Sequence, residues 1–70
     1  MFITKKKIRK QLCKFLSEES IDSINEAYLW ITNAPFWQWK DRLWCVCNKF
    51  YAGLDEVKRN FEFLNHKNFQ

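Results

Sequence analysis

One glycine and one proline in seventy residues limit the folds open to this chain more than any other feature. A sheet of several strands needs turn-forming residues at nearly every strand end. Helices can be joined by ordinary polar residues, provided that their ends are capped. We therefore expect an all-α fold, a compact bundle of three to four short helices, which forms a single small helical domain over residues 1–70.

Capping residues and apolar spacing predict four helices. Thr4 is a good N-cap for the first helix, and the polar segment SEES (17–20) should end it. Ser20, Asp22 or Ser23 could cap the second. Pro35 suits the first turn of the third, and Gly53 is placed to end it in a left-handed conformation. The predicted helices run from Thr4 to about 16, from about 21 to 33, from about 35 to 52, and from about 54 to 66–67.

The segment FWQWKDRLWCVC (36–47) holds three of the four tryptophans, so it is either a binding site or a core helix. With residues about 100° apart on a helix, its apolar side chains fill one half of the circumference. This wide arc predicts a central helix with Leu43 and Phe36 in the middle of the core. The arc consists of Val46, Trp39, Phe50, Leu43, Phe36, Cys47, Tyr51, Trp44 and Trp37.

Lys40 falls inside this apolar arc. Its stem could snorkel to solvent, its ammonium could pair with an acid across the core, or it could belong to a binding surface. We keep it as a candidate partner-binding residue.

The cysteines and the single histidine indicate no metal, no cofactor and no enzyme. Cys45 and Cys47 fall on opposite sides of the third helix, Cys45 on the polar side, and His66 is far along the chain. They cannot share one zinc ion. No catalytic constellation is present. Three cysteines without disulfide spacing predict free thiols and a cytoplasmic location, and no apolar run reaches the roughly 20 residues of a membrane span.

Positive charge is concentrated at the start of the chain. The net charge is +4, yet residues 1–16 contain six basic residues and no acidic one. On the first helix they oppose the apolar stripe of Ile8, Leu12, Phe15 and Leu16. This face is either an ordinary solvated surface or a surface that binds anions. The candidate basic surface comprises Lys6, Arg9, Lys10 and Lys14.

Several large apolar residues fall outside the apolar face of their own helix. Trp30 and Phe63 either pack against further helices or are exposed anchors, and we treat both as candidate partner-binding residues. Leu29 is expected to pack inside the bundle. The predicted core face of the second helix comprises Ala27, Ile31, Ile24, Tyr28 and Ile21, and that of the fourth comprises Leu64, Val57, Phe61 and Leu54.

The function that these features favour is a small non-enzymatic regulator or inhibitor that binds a larger host or phage protein. Hydrophobic residues make up 47% of the chain and aromatic ones 19%, more than one small core hides, so self-association into a homo-oligomer is also expected. Frequent Lys, Asn, Ile and Phe indicate AT-rich coding, which is typical of phages and mobile elements.

The alternative is a small basic nucleic-acid-binding protein. A helix-turn-helix could form from the second and third helices, with Gln38, Arg42 and Lys49 on the outer face of the third. Binding of the first helix to an anionic membrane ranks last, because its apolar stripe is narrow.

Overall fold

The computed structural model describes the backbone of residues 3–50 and 53–68, and the side chains of all but the last five of these. Within these ranges the all-α prediction is confirmed: the chain forms four α-helices and no strand. None of the described helices is long and apolar enough to cross a membrane. The helices are α1 (Lys5–Phe15), α2 (Ile21–Thr32), α3 (Trp39–Lys49) and α4 (Leu54–Asn68), and a 3₁₀ turn (Phe36–Gln38) precedes α3.

Local capping fixes the helix ends, as the sequence predicts. The Thr4 hydroxyl accepts a hydrogen bond from the Lys7 amide at 3.2 Å. Of the three possible caps for α2, Ser20 is the one used, and it accepts from the Ser23 amide at 3.1 Å. Gly53 has a φ of 93°, the left-handed conformation expected of it, because a glycine has no Cβ to make this conformation costly.

The third predicted helix is shorter than expected. Pro35 lies before the 3₁₀ turn, with an extended ψ of 143°, and α3 begins only at Trp39. The Trp39 indole donates a hydrogen bond to the Ala34 carbonyl at 2.8 Å, which ties the start of α3 to the end of α2. A 3₁₀ turn has about three residues per turn, so the side chains of Phe36 and the residue after it do not point in the directions that an α-helical continuation of α3 would give them. The expected end at Ala52 lies outside the described residues, as does Tyr51.

The four helices alternate in direction. Lys5 lies over the Trp39 ring, and Phe15 lines a cavity with Cys47, so α1 and α3 run the same way. Helices α2 and α4 run the other way, and α3 contacts all three of the others. The bundle is flat, with extents of 37 × 28 × 17 Å. The central place of the third helix is thus confirmed.

The orientation of α3 differs from the prediction. Leu43 is buried as expected, but Phe36 is 48% exposed and Cys45 is buried, so the predictions of a core position for Phe36 and a polar one for Cys45 were wrong. Val46, at the edge of the predicted arc, is fully buried. The buried side of α3 differs from the predicted apolar arc because α1, α2 and α4 all contact this helix. The core consists of Ile8, Leu12, Leu16, Ile24, Ala27, Ile31, Leu43, Cys45, Val46, Val57 and Phe61.

Two apolar residues of α2 that were expected inside are exposed. Ile21 is the first residue of α2, and helical side chains lean towards the N-terminus, so it points past the end of the helix. Leu29 lines an open cleft with Trp30 and Lys58. Both predictions of burial were wrong. The side chain of Leu64 lies outside the described residues.

Adjacent residues of α3 should respond oppositely to truncation. Leu43→Ala is expected to lower the free energy of unfolding by about 2–5 kcal/mol, because it leaves a cavity in the core. Trp44→Ala, which removes a larger but exposed side chain, should cost less than about 1 kcal/mol. Urea unfolding followed by circular dichroism measures both. Equal losses would show that α3 is rotated differently.

Candidate docking surface

Two exposed tryptophans lie at the uncovered side of α3, Trp44 on the helix itself and Trp37 in the 3₁₀ turn before it. Trp37 is 62% and Trp44 57% exposed, although the sequence places both in the core arc, so that expectation was wrong. Lys40 is also exposed, and it stands four residues before Trp44 on α3. Residues at this spacing are neighbours on a helix surface. With Phe36, whose ring meets that of Trp37 edge-on at 5.2 Å, these residues form what we call the aromatic face.

Helix α1 extends the aromatic face at one end. Phe15 is exposed, so its predicted place in the apolar stripe of the first helix was wrong, and it lines a cavity of about 320 Å³ together with Cys47, Asn48 and Phe50. The Asn48 amide donates to the Trp44 carbonyl at 2.8 Å, one turn back along α3. Phe15 therefore lies close to the last turn of the aromatic face, and exposed aromatic side chains of two helices share one side of the molecule.

Lysines of α1 lie beside this apolar surface. Lys7, Gln11 and Phe15 follow one another at intervals of four residues, so they share the side of α1 that is next to α3. At the start of both helices, the Lys5 ammonium lies 5.8 Å from the centre of the Trp39 ring. The aromatic face consequently has a cationic border along α1.

The predicted basic surface is exposed, but one of its members faces α2. Lys6, Lys10 and Lys14 point to solvent. The Arg9 guanidinium donates to the Asn25 side-chain oxygen at 2.9 Å and lies 4.1 Å from the centre of the Tyr28 ring. Arg9 thus helps to join α1 to α2.

Trp30 packs inside the bundle, which is the first of the two alternatives that the sequence left open. Its ring meets that of Phe61 edge-on at 5.6 Å. The guanidinium of Arg42 lies 4.5 Å from the Trp30 ring centre and 4.7 Å from that of Phe61. Because these contacts account for Trp30, we leave it out of the proposed docking surface.

Sequence reasoning missed Arg42, which it placed on an outer polar face. Its guanidinium donates to the Trp30 carbonyl at 3.2 Å and to the Gln38 side-chain oxygen at 3.3 Å. Burial lowers the pKa of Arg42, and the negative charge of Glu62 partly opposes this. One sequence signal could have indicated this contact: Trp30 lies outside the apolar face of its own helix, so its ring needed a side chain from another helix to pack against.

This arrangement removes the outer face expected for a helix-turn-helix. Gln38 and Arg42 are engaged with each other and with α2, and Lys49 is half-buried. The side of α3 that faces solvent carries the aromatic face instead, together with Asp41 and Asn48. Gln38, Arg42 and Lys49 are therefore half-buried and not on the fully exposed face of α3, and DNA binding by this helix stays a prediction.

The two other candidate anchors are exposed. Phe63 on α4 is 65% exposed. Lys40 projects to solvent from within the aromatic face, which favours the binding surface over a pair across the core. A role of either in partner binding stays a prediction.

The three cysteines are free thiols. In residues 3–50 and 53–63, no three side chains of His, Cys, Asp or Glu gather to hold a metal ion. Burial raises the pKa of the Cys47 thiol. It also raises the pKa of Cys45, with the negative charge of Asp41 adding to the effect.

Replacing Arg42 by lysine should weaken the fold although the charge is kept. An ammonium is a compact point charge and cannot contact both rings while donating to two acceptors, as the larger planar guanidinium does. We expect a loss of about 2 kcal/mol in the free energy of unfolding. The matched control is Arg59→Lys, because the ion pair of Arg59 with Glu56 is exposed and contributes less than about 1 kcal/mol. Equal effects would contradict the role given to Arg42.

Alkaline pH should destabilise the fold through Cys45 and Cys47. Their raised pKa values keep both thiols protonated in the folded state, whereas unfolded thiols ionise near about pH 8.5. The unfolded state therefore loses protons first, and stability falls as pH rises above this value. Urea unfolding between neutral and alkaline pH should show a smaller decline for Cys45→Ala/Cys47→Ala than for wild type. Identical declines would exclude the two thiols as the cause.

Comparisons with known proteins give no functional assignment: no family model, no curated protein and no solved structure matches this chain. The aromatic face and the lysines beside it are thus the features from which a function can be inferred.

Proposed function

We propose that this protein is a small non-enzymatic regulator or inhibitor that binds a larger protein through the aromatic face. We expect a phage or mobile element as its source and the cytoplasm as its location. The observation that supports the proposal is the exposure of Trp44 on α3, the helix that contacts the other three, and of Trp37 in the turn before it.

The exposed tryptophans favour a docking role on energetic grounds. A tryptophan offers about 250 Å² at most, so the exposed fractions of Trp37 and Trp44 leave roughly 300 Å² of the two side chains in water. Covering this area would contribute about 25 cal/mol for each Å² of its apolar part. Tryptophans are also enriched among the residues that dominate binding energy at interfaces.

The cationic border defines the charge of the partner. Lys7 and Lys14 on α1 and Lys40 on α3 are exposed, so a complementary surface would place carboxylates around an apolar centre. Exposed charges at the edge of an interface mainly accelerate association, whereas the buried centre controls dissociation. The lysines would therefore steer an acidic protein, and the aromatic side chains would hold it.

Nucleic acid remains the alternative partner, because lysines beside exposed tryptophans also suit phosphates and stacked bases. The lysines of α1 would then carry most of the affinity, and binding would weaken steeply with salt. Asp41, which is exposed beside the aromatic face, would repel a phosphate backbone and is compatible with a protein partner.

The proposal can be tested by capturing partners from the native host with immobilised protein, in extracts with and without nuclease. A partner protein should be retained by wild type in both extracts and lost with Trp37→Ala/Trp44→Ala. The matched control is Leu29→Ala, which truncates an exposed apolar side chain elsewhere and should retain the partner. Phe63→Ala tests the second predicted anchor in the same way.

Kinetics with the captured partner distinguish anchors from steering charges. Each tryptophan variant should raise the dissociation rate by about tenfold or more, as for a residue that contributes about 2 kcal/mol. Replacing Lys6, Lys10 and Lys14 by Gln should mainly slow association. Loss of the partner on nuclease treatment, or full binding by the double tryptophan variant together with none by the lysine variant, would contradict the proposal.

A further inference from the structure

The aromatic face carries one positive and one negative charge on opposite sides of its centre. With residues about 100° apart on a helix, Lys40 lies about 40° to one side of Trp44 and Asp41 about 60° to the other. Both are exposed, and they are consecutive in sequence, so they stand at nearly the same height along α3. The aromatic face therefore has a positive edge and a negative edge at the same level along α3.

A second copy of the chain could pair with this face in two symmetric ways, and the charges distinguish them. If the two α3 helices ran in opposite directions, the two-fold axis would set Lys40 beside Lys40 of the second copy and Asp41 beside its counterpart. If they ran in the same direction, Lys40 would face Asp41 of the second copy, and the reverse pair would form by symmetry. Like charges repel and unlike charges attract, which favours the parallel arrangement.

Helix α1 gives a second reason for the same arrangement. Phe15 lies beside Cys47, and Cys47 is on the Lys40 side of α3, so α1 borders that side. Opposite-running α3 helices would bring two α1 helices together, each with its share of the six basic residues of segment 1–16. In the parallel arrangement, α1 of each copy instead meets the Asp41 side of the other.

We propose that the aromatic face binds a second copy of this chain, in a two-fold dimer whose α3 helices lie side by side in the same direction. Trp37 and Trp44 then pack against their counterparts, and Lys40 of each copy pairs with Asp41 of the other.

The exposed area is sufficient for a weak dimer. With about 200–250 Å² for each fully exposed aromatic side chain, the exposed fractions of Phe15, Phe36, Trp37 and Trp44 amount to roughly 500 Å² per copy. Two such faces bury about 1,000 Å², close to the lower limit of about 1,200 Å² for specific interfaces. The dimer should therefore form and dissociate with protein concentration.

Dimerisation would regulate docking, since both use the aromatic face. This consequence rests on the proposed function: the larger protein could bind only the monomer, and a high concentration of the free chain would hold the face covered. Self-association itself does not depend on any partner and is measured on the purified protein alone.

Sedimentation equilibrium of the reduced, purified chain tests the proposal. The average mass of wild type should rise with concentration from 8.7 kDa towards twice that value. Trp44→Ala should remain at the monomer mass over the same range. Lys40→Asp and Asp41→Lys each place like charges opposite each other, so each variant alone should associate about tenfold more weakly or worse.

The most specific test exchanges the charges at positions 40 and 41. An equal mixture of Lys40→Asp and Asp41→Lys restores both opposite-charge pairs across the interface, and so does the double variant that carries both changes in one chain. Association should return in both cases. The matched control is Arg59→Asp and Asp55→Lys, which change the same net charges at exposed sites of α4. These should associate as wild type does, separately and mixed.

Three results would overturn the proposal: a monomer at every concentration, wild-type association of the single charge variants, or no recovery on mixing them. Any of these would leave binding of a larger protein to the tryptophans untouched. Conversely, a dimer that behaves as expected but captures no partner would leave self-association standing and remove the docking function.

Discussion

The inner side of α3 fixes the rotation of the central helix. Val46 is fully buried there. One turn earlier, the guanidinium of the half-buried Arg42 lies 4.5 Å from the Trp30 ring centre and 4.7 Å from that of Phe61, and it donates a hydrogen bond to the Trp30 carbonyl. Trp44 is two residues before Val46 and hence about 160° away around α3. With Val46 in the core, Trp44 faces solvent.

Local signals in the sequence predict the helices, whereas the orientation of α3 depends on contacts distant in sequence. Thr4, Ser20 and Gly53 act on their own neighbours, so their effects can be read from the chain itself. Apolar spacing on α3 is ambiguous because aromatic residues surround most of the helix. The orientation is decided by the three neighbouring helices, which contact α3 and bury Leu43, Cys45 and Val46. The exposure of the α1 lysines could be predicted from their spacing opposite Ile8 and Leu12, whereas spacing left open whether Phe63 packs against another helix or is exposed.

The exposure of two tryptophans has a cost that bears on function. Burial of the exposed parts of Trp37 and Trp44 would remove apolar area from water and would favour stability. The chain leaves both rings in solvent, and local choices that oppose stability are concentrated at functional sites. The six cations of segment 1–16 follow the same logic, since lysines at the start of a helix oppose its dipole.

Fold and surface are consequently linked through the rotation of α3. Leu43 and Val46 lie in the core, and any rotation that buried Trp44 would remove them from it and would displace Lys40 and Asp41 from their places beside the ring. The tryptophans contribute apolar area and therefore affinity, whereas the paired charges mainly determine the orientation of a partner. The packing of the inner side of α3 thus determines which surface the protein presents to a second copy or to a larger partner.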